Sequence, residues 1–168
     1  MAELRPGYLL GLGSNINPKQ NFAAIIRSLL AEFDHLHLSR VLTIPPVGMN
    51  SHRPFLNAVT FIETDMPEPQ LKTICNQIEI ALGRDRDDPD SKIKDRPADL
   101  DILARFSESE DWQRHVSSIT DEYFLYPLID ELRAFLTDTS MMSAIQKGTR
   151  VDADNLTFGE SATTIYRD

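Results

Sequence analysis

The stretch Asp99-Leu100-Asp101-Ile102-Leu103 reads as a strand that resumes regular structure after the most polar part of the chain, residues 84–97. Acidic and apolar side chains alternate in it. The two-residue period of a strand puts both carboxylates on one face and sends Leu100 and Ile102 into the opposite layer. Segment 84–97 is rich in Asp, Arg, Lys and Pro, which predicts an exposed loop.

The elements before this strand begin with a strand and a helix. The apolar run Tyr8–Gly13 ends in small residues and predicts a buried strand. Apolar positions from Lys19 to Phe33 repeat at three and four residues, which indicates an amphipathic helix. Asn17 is the expected cap of this helix, and Pro18 lies in its first turn.

Two further strands and a second helix follow. Apolar residues from Leu36 to Leu42 suggest one strand, stopped by the proline pair 45–46. Residues 55–63 predict a long strand that is covered on both faces. After Pro69 an apolar stripe indicates a helix that ends at Gly83.

The resulting order is strand, helix, strand, strand, helix, strand. It is the split β-α-β layout of ferredoxin-like α+β domains, so we expect an antiparallel sheet with helices packed on it. Residues 129–136 predict one more helix, and the tail after Lys147 either packs loosely or extends the sheet.

The composition limits the class of protein. The chain has 168 residues, 41% hydrophobic and 26% charged, which predicts one folded domain over residues 1–168. No apolar run is long enough for a membrane span, and residues 1–6 do not resemble a secretion signal, so we expect a cytoplasmic protein.

A formal charge of −9 without a basic cluster argues against nucleic acid as a partner. The lone Cys75 is expected to be a buried structural thiol.

The alternating acids could carry chemistry. Magnesium prefers one or two carboxylates together with water and substrate phosphates, so Asp99 and Asp101 suit a magnesium–ATP complex. The alternative is a solvated acidic face. Arg84, Arg86 and Arg96 bracket the polar loop and could bind phosphates, or could only pair with the loop's own aspartates.

Two other features carry less information. Residues 11–15, GLGSN, lack both the P-loop and the dinucleotide-binding pattern, so their small side chains are expected to allow close packing beside the site. A histidine in a polar segment, as His115 is, usually lies at the surface.

Five segments together resemble the 6-hydroxymethyl-7,8-dihydropterin pyrophosphokinases of folate biosynthesis. They are GLGSN at 11–15, PPVG at 45–48, FLNA at 55–58, IEIALGRDR at 78–86 and RPADLDIL at 96–103. The resemblance covers roughly Gly7 to Phe106 and implies the same α+β fold.

The resemblance also implies an activity, namely transfer of the β,γ-pyrophosphoryl group of ATP to the hydroxymethyl oxygen of the pterin, with release of AMP. Asp99 and Asp101 would bind two magnesium ions, and Asp99 would also lie near the pterin. Arg84 and Arg96 would assist the transfer. The remaining implied contacts are Asn57, Pro45, Val47, Phe55 and Tyr123 for the pterin, and Glu79, Arg86 and His115 for ATP.

The segments also depart from the family's pattern. Ile44 and Ile93 replace a threonine and a tryptophan, the polar loop is about two residues longer and more acidic, and Asp121-Glu122 precede Tyr123. An acidic loop repels a triphosphate unless metal intervenes, so ATP binding is the step that these changes affect most.

Three hypotheses follow from the sequence. The chain is an active pyrophosphokinase, a diverged paralogue that binds a pterin or nucleotide with weak or no catalysis, or an interaction module without a small ligand. The last predicts no convergent pocket at Asp99. The sequence leaves the oligomeric state open, and we favour a monomer.

Overall fold

The computed structural model describes residues 4–46, 52–85, 87–90, 95–137, 146–153 and 155–167. Its strands and α-helices are, in chain order, β1 (Gly7–Ser14), α1 (Pro18–Glu32), β2 (His35–Leu38), β3 (Leu42–Ile44), β4 (Phe55–Glu63), α2 (Glu68–Ala81), β5 (Asp99–Phe106), α3 (Tyr126–Thr137), β6 (Val151–Ala153), β7 (Leu156–Phe158) and β8 (Thr163–Tyr166). Three short 3-10 helices lie at Ser109–Gln113, Val116–Ser118 and Tyr123–Leu125.

The main sheet has the strand order β5-β1-β4-β2-β8, and β3 also pairs with β4. Every pairing in it is antiparallel. The four strands β1, β2, β4 and β5 reproduce the split β-α-β arrangement, because β4 lies between β1 and β2, the two strands that α1 connects. The α+β fold expected from the sequence is confirmed.

The central strands are covered on both faces, as the unbroken burial of β1 and β4 shows. Tyr8, Leu10 and Leu12 point into one core, which α1 and α2 complete. Leu9 points the other way, into a second core formed with α3 and the 3-10 segments. Cys75 is buried in the first core, as expected. Both faces of the sheet are therefore fixed by apolar packing.

The single strand expected over residues 36–42 is wrong, because β2 and β3 are separate. The chain turns between them to bond with the tail: the Val41 N–H donates to the Gly159 carbonyl, and the Thr149 N–H donates to the Val41 carbonyl. Ser39 anchors the break, since its Oγ accepts a hydrogen bond from the Val59 N–H at 2.9 Å. Partners more than 100 residues away thus decide where β2 ends.

The helices begin and end within three residues of the predicted positions. Asn17 takes the N-cap position of α1, as expected, in a left-handed conformation with φ 40°; its carbonyl accepts the Asn21 N–H, although its side chain makes no capping hydrogen bond. Gly83, at φ +103°, follows the end of α2 where a left-handed residue was expected. α3 begins at Tyr126, three residues before the predicted start.

The C-terminal tail is ordered on the sheet and on α1. Strand β8 pairs with β2, which extends the sheet by one strand. The β6–β7 hairpin contributes Val151 and Phe158 to the first core. Among the helices of the described residues, none is both long and apolar enough to cross a bilayer.

Candidate active site

Three strands end together at one end of the sheet. Gly13 of β1 lies opposite Asn57 of β4 on one side and opposite Asp99 of β5 on the other. A Cβ on Gly13 would come within 3.0 Å of the Asn57 Oδ1 atom. The close packing expected of the small residues in this segment is therefore confirmed, and it allows the Asn57 side chain to lie beside β1.

A cavity of about 250 Å³ opens at this end of the sheet, on the face covered by α3. Its lining combines apolar, aromatic and charged side chains, contributed by Ile44, Pro45, Phe55, Asn57, Arg96, Asp99, Asp121, Glu122, Tyr123 and Phe124. Residues distant in sequence converge here, which an interaction module without a small ligand does not predict.

Both oxygens of Asp99 accept hydrogen bonds from arginine. Arg84 Nη1 donates to Oδ1 at 2.7 Å, and Arg96 Nη1 donates to Oδ2 at 2.9 Å. Both arginine side chains point inward to this carboxylate, with 6% and 16% of their surfaces exposed. Both arginines therefore pair with an acid of β5, outside the polar loop.

Glu79 lies beneath this arginine pair and is fully buried. Its Oε2 accepts a hydrogen bond from Arg84 Nη1 at 2.9 Å and another from the Leu100 backbone N–H at 2.8 Å. Its geometry is that of a group that holds Arg84 and the start of β5. The contact between Glu79 and ATP that the resemblance implies stays a prediction.

Asp101 lies on the same face of β5 as Asp99, as the alternating pattern predicts, while Leu100 and Ile102 pack into the core under α2. Burial raises the pKa of Asp101 to about 7, and the charges of Asp99, Glu122 and Glu79 add to this, with Arg84 opposing them. No residue in the described part of the chain donates a hydrogen bond to the Asp101 carboxylate. A partly buried carboxylate in this position is suited to binding a cation.

Glu122 and its neighbour Asp121 are further acids at the cavity, and sequence reasoning did not place them there. Burial raises the pKa of Glu122, and the charge of Asp99 raises it further, while Arg96 lowers it. The pair Asp121-Glu122 is visible in the sequence, but its position opposite β5 depends on the 3-10 segments between β5 and α3. These segments show no clear period that could have been read in advance.

The structure brings together most of the predicted pterin contacts. Pro45, Phe55, Asn57 and Tyr123 line one cavity with Asp99, although Tyr123 is 65% exposed and forms an open wall. His115 is exposed as expected and does not line this cavity; its Nδ1 accepts from the Ser117 N–H. The remaining predicted residues, Val47 and Arg86, lie outside the described residues, as does Ile93.

The sequence profile of the family described as 7,8-dihydro-6-hydroxymethylpterin-pyrophosphokinase matches residues 9–131. The chain belongs to this family. The match covers most of the chain and includes every candidate site residue from Pro45 to Tyr123.

Proteins with the name 2-amino-4-hydroxy-6-hydroxymethyldihydropteridine pyrophosphokinase are similar to it. The protein from Porphyromonas gingivalis is 34% identical over 96 residues, which is 56% of this chain and 65% of that protein. The Bacillus subtilis protein is 28% identical over 149 residues, 84% of this chain and 87% of that one. The Methylorubrum extorquens protein is 36% identical over 98 residues, 56% and 60% of the two chains. The match thus spans slightly less than two thirds of the first of these relatives.

Proposed function

We propose that this chain transfers the β,γ-pyrophosphoryl group of ATP to the hydroxymethyl oxygen of 6-hydroxymethyl-7,8-dihydropterin and releases AMP. The observation that carries the proposal is the single cavity in which Asn57 and aromatic walls face Asp99. Family membership supplies the reaction class, and the cavity supplies a place where a flat heterocycle would meet the acidic strand.

A pterin ring fits the cavity in shape and polarity. Phe55, Pro45 and Tyr123 offer apolar and aromatic surface for a flat ring, while the Asn57 side-chain amide offers one acceptor and two donors. Flat ligands are typically held by such a combination of apolar walls and a few convergent polar groups. We assign Asn57 to the pterin edge and Val47, by the resemblance, to the same wall.

Asp99 and Asp101 fit magnesium. They are two oxygen ligands on one face of a strand, and burial and the neighbouring acids raise the pKa of Asp101 to about 7. Bound there with ATP, magnesium would neutralise charge on the phosphates. Asp99 keeps lone pairs for this task, because each of its oxygens accepts one arginine hydrogen bond.

The transfer forms one bond and breaks two. The pterin hydroxymethyl oxygen bonds to the β-phosphorus, the bond from that phosphorus to the oxygen bridging to the α-phosphorus breaks, and the hydroxyl proton leaves to solvent. Positioning and electrostatics provide most of the acceleration in such reactions. Arg96 lines the cavity, where it would contact the phosphates, and Arg84 fixes Asp99.

Glu79 takes a positioning role in this proposal, because it is buried against Arg84. The nucleotide contacts proposed from the resemblance are Arg86 and His115. His115 is exposed on the segment after β5, where it is accessible to a second substrate.

The test uses two variants and a matched control. Asp99→Ala and Asp101→Ala should each abolish magnesium-dependent AMP formation while the fold remains intact by circular dichroism. Asp65→Asn, which changes an exposed acid away from the cavity, should keep full turnover. Retained turnover in either of the first two variants would remove the metal assignment.

A second candidate is a paralogue that binds the pterin with little catalysis, and Glu122 is the observation that favours it. Its carboxylate adds negative charge at the cavity, where phosphates must approach. Pterin binding by fluorescence titration, without any AMP, would select this candidate.

A further inference from the structure

A cluster of two histidines and one glutamate, residue types that can bind metal ions, lies at the opposite end of the sheet. His35 and His37 project from β2, and Glu63 ends β4. The Nε2 atoms of both histidines point at the same oxygen, Glu63 Oε1, at 3.0 Å and 2.7 Å. The candidate ligand atoms of the three residues all lie within 4.8 Å of one another.

The strand register explains why these groups meet. His37 lies opposite Phe61 on the antiparallel strand β4. His35 is two residues before His37 and Glu63 is two residues after Phe61, so all three side chains of the cluster project from the same face. Glu63 is also opposite Gly7 of β1, whereas Asn57 is opposite Gly13. Six residues at about 3.4 Å each separate the two ends, so the cluster lies roughly 20 Å from the cavity.

Surrounding contacts orient the ligand atoms toward a common point. The Arg5 backbone N–H donates to Glu63 Oε2 at 2.9 Å, which leaves Oε1 directed at the imidazoles. His37 Nδ1 lies 2.9 Å from Thr164 Oγ1 on β8, so the Nδ1–H can donate there while Nε2 offers its lone pair. Metal-binding histidines typically have such a partner for their second nitrogen.

We propose that His35 Nε2, His37 Nε2 and Glu63 Oε1 bind a divalent transition-metal ion of the zinc class. Two imidazoles and one carboxylate favour such an ion over magnesium, which prefers oxygen ligands. Zinc ligands at about 2.0 to 2.2 Å stand roughly 3.3 Å apart in a tetrahedron. The distances from His35 Nε2 and His37 Nε2 to Glu63 Oε1 are therefore close to the separation of zinc ligands, and each would lengthen by a few tenths of an ångström when the ion binds.

The three side chains are largely buried, and His35 is the most exposed of them. The side chains of His35, His37 and Glu63 are 21%, 11% and 9% exposed, so an ion enters past His35 and a water completes its coordination. Arg5 Nε stands 3.8 Å from Glu63 Oε2, but its side chain is 71% exposed and can move into solvent. Metal binding displaces any proton that a histidine Nε2 shares with Glu63 Oε1. The three side chains therefore either bind the ion or form hydrogen bonds with one another, but not both at once.

The test measures zinc binding to the untagged 168-residue chain after treatment with a chelator. Competition with a chromophoric zinc indicator should give one ion per chain, unaffected by millimolar magnesium. His37→Gln and Glu63→Gln should each weaken zinc binding more than about 100-fold, and Thr164→Val about tenfold, as expected for a partner of a ligand. Zinc should also raise the thermal unfolding temperature of the wild type.

His52→Gln is the matched control, because His52 is an exposed histidine outside the cluster, and it should bind zinc like the wild type. If Glu63→Gln fails to fold, His35→Ala, at a partly exposed position, serves instead. Two results would overturn the proposal: no zinc bound at one equivalent by the wild type, or equal affinity in the wild type and the folded cluster variants.

Discussion

Asp101→Asn should stabilise the metal-free protein while it destroys the proposed activity. Asp101 is partly buried beside Asp99 and Glu122, and its pKa is raised from 3.8 to about 7 by burial and by these neighbouring charges. The folded state therefore disfavours the ionised form. An amide has almost the same shape, carries no charge, and removes this cost.

The size of the effect follows from linkage. An acid whose pKa is higher in the folded protein costs no stability below its unfolded value of 3.8, and the cost is complete above about 7. At about 1.4 kcal/mol per pH unit, the full difference corresponds to about 4 kcal/mol. Asp101 keeps some contact with solvent, so we expect the variant to gain about 2 to 4 kcal/mol at pH 8.

The assay is urea denaturation of both proteins with a chelator present, from pH 4.5 to pH 8. The difference in free energy of unfolding should be only about 1 kcal/mol at pH 4.5, where the unfolded chain is already mostly ionised at this residue, and should grow up to about pH 7. Adding magnesium should stabilise only the wild type. A difference that does not change with pH, or a less stable Asp101→Asn protein at pH 8, would refute the reasoning.

Three further substitutions test other parts of the account. Asn57→Ala removes hydrogen bonds to the pterin and should weaken pterin binding about 10- to 100-fold, measured by fluorescence titration; an unchanged affinity would contradict the pterin assignment. Glu79→Gln should lower kcat about tenfold or more with pterin affinity within about twofold, because it loosens Arg84 without touching the cavity; a selective loss of ATP affinity would indicate direct contact instead. Gly7→Ala places a Cβ 1.9 Å from the Ile62 carbonyl oxygen and should cost about 3 kcal/mol of stability in urea denaturation; a stable variant would show that β1 can shift.

The sequence predicted features that depend on a local period or a short motif. The alternation of Asp99, Leu100 and Asp101 correctly placed the acids and the core residue on opposite faces. The length and apolar character of residues 55–63 correctly indicated a strand covered on both sides. Local rules were sufficient because neighbouring residues alone decide which face a side chain takes.

Features that depend on distant partners could not be predicted. The break between β2 and β3 depends on Val41 bonding to tail residues more than 100 positions away. The enclosure of Glu79 depends on how α2 packs against the start of β5. His35 and His37 share a face by their spacing, but only the register of β4 reveals that Glu63 joins them.

Pterin-dependent formation of AMP is the most direct test of the central claim. The purified protein is incubated with 6-hydroxymethyl-7,8-dihydropterin, magnesium and ATP, and the nucleotide products are separated by chromatography against a reaction without pterin. The account predicts AMP together with a pterin diphosphate, only in the complete reaction. ADP as the product, or no AMP from a correctly folded protein, would contradict it.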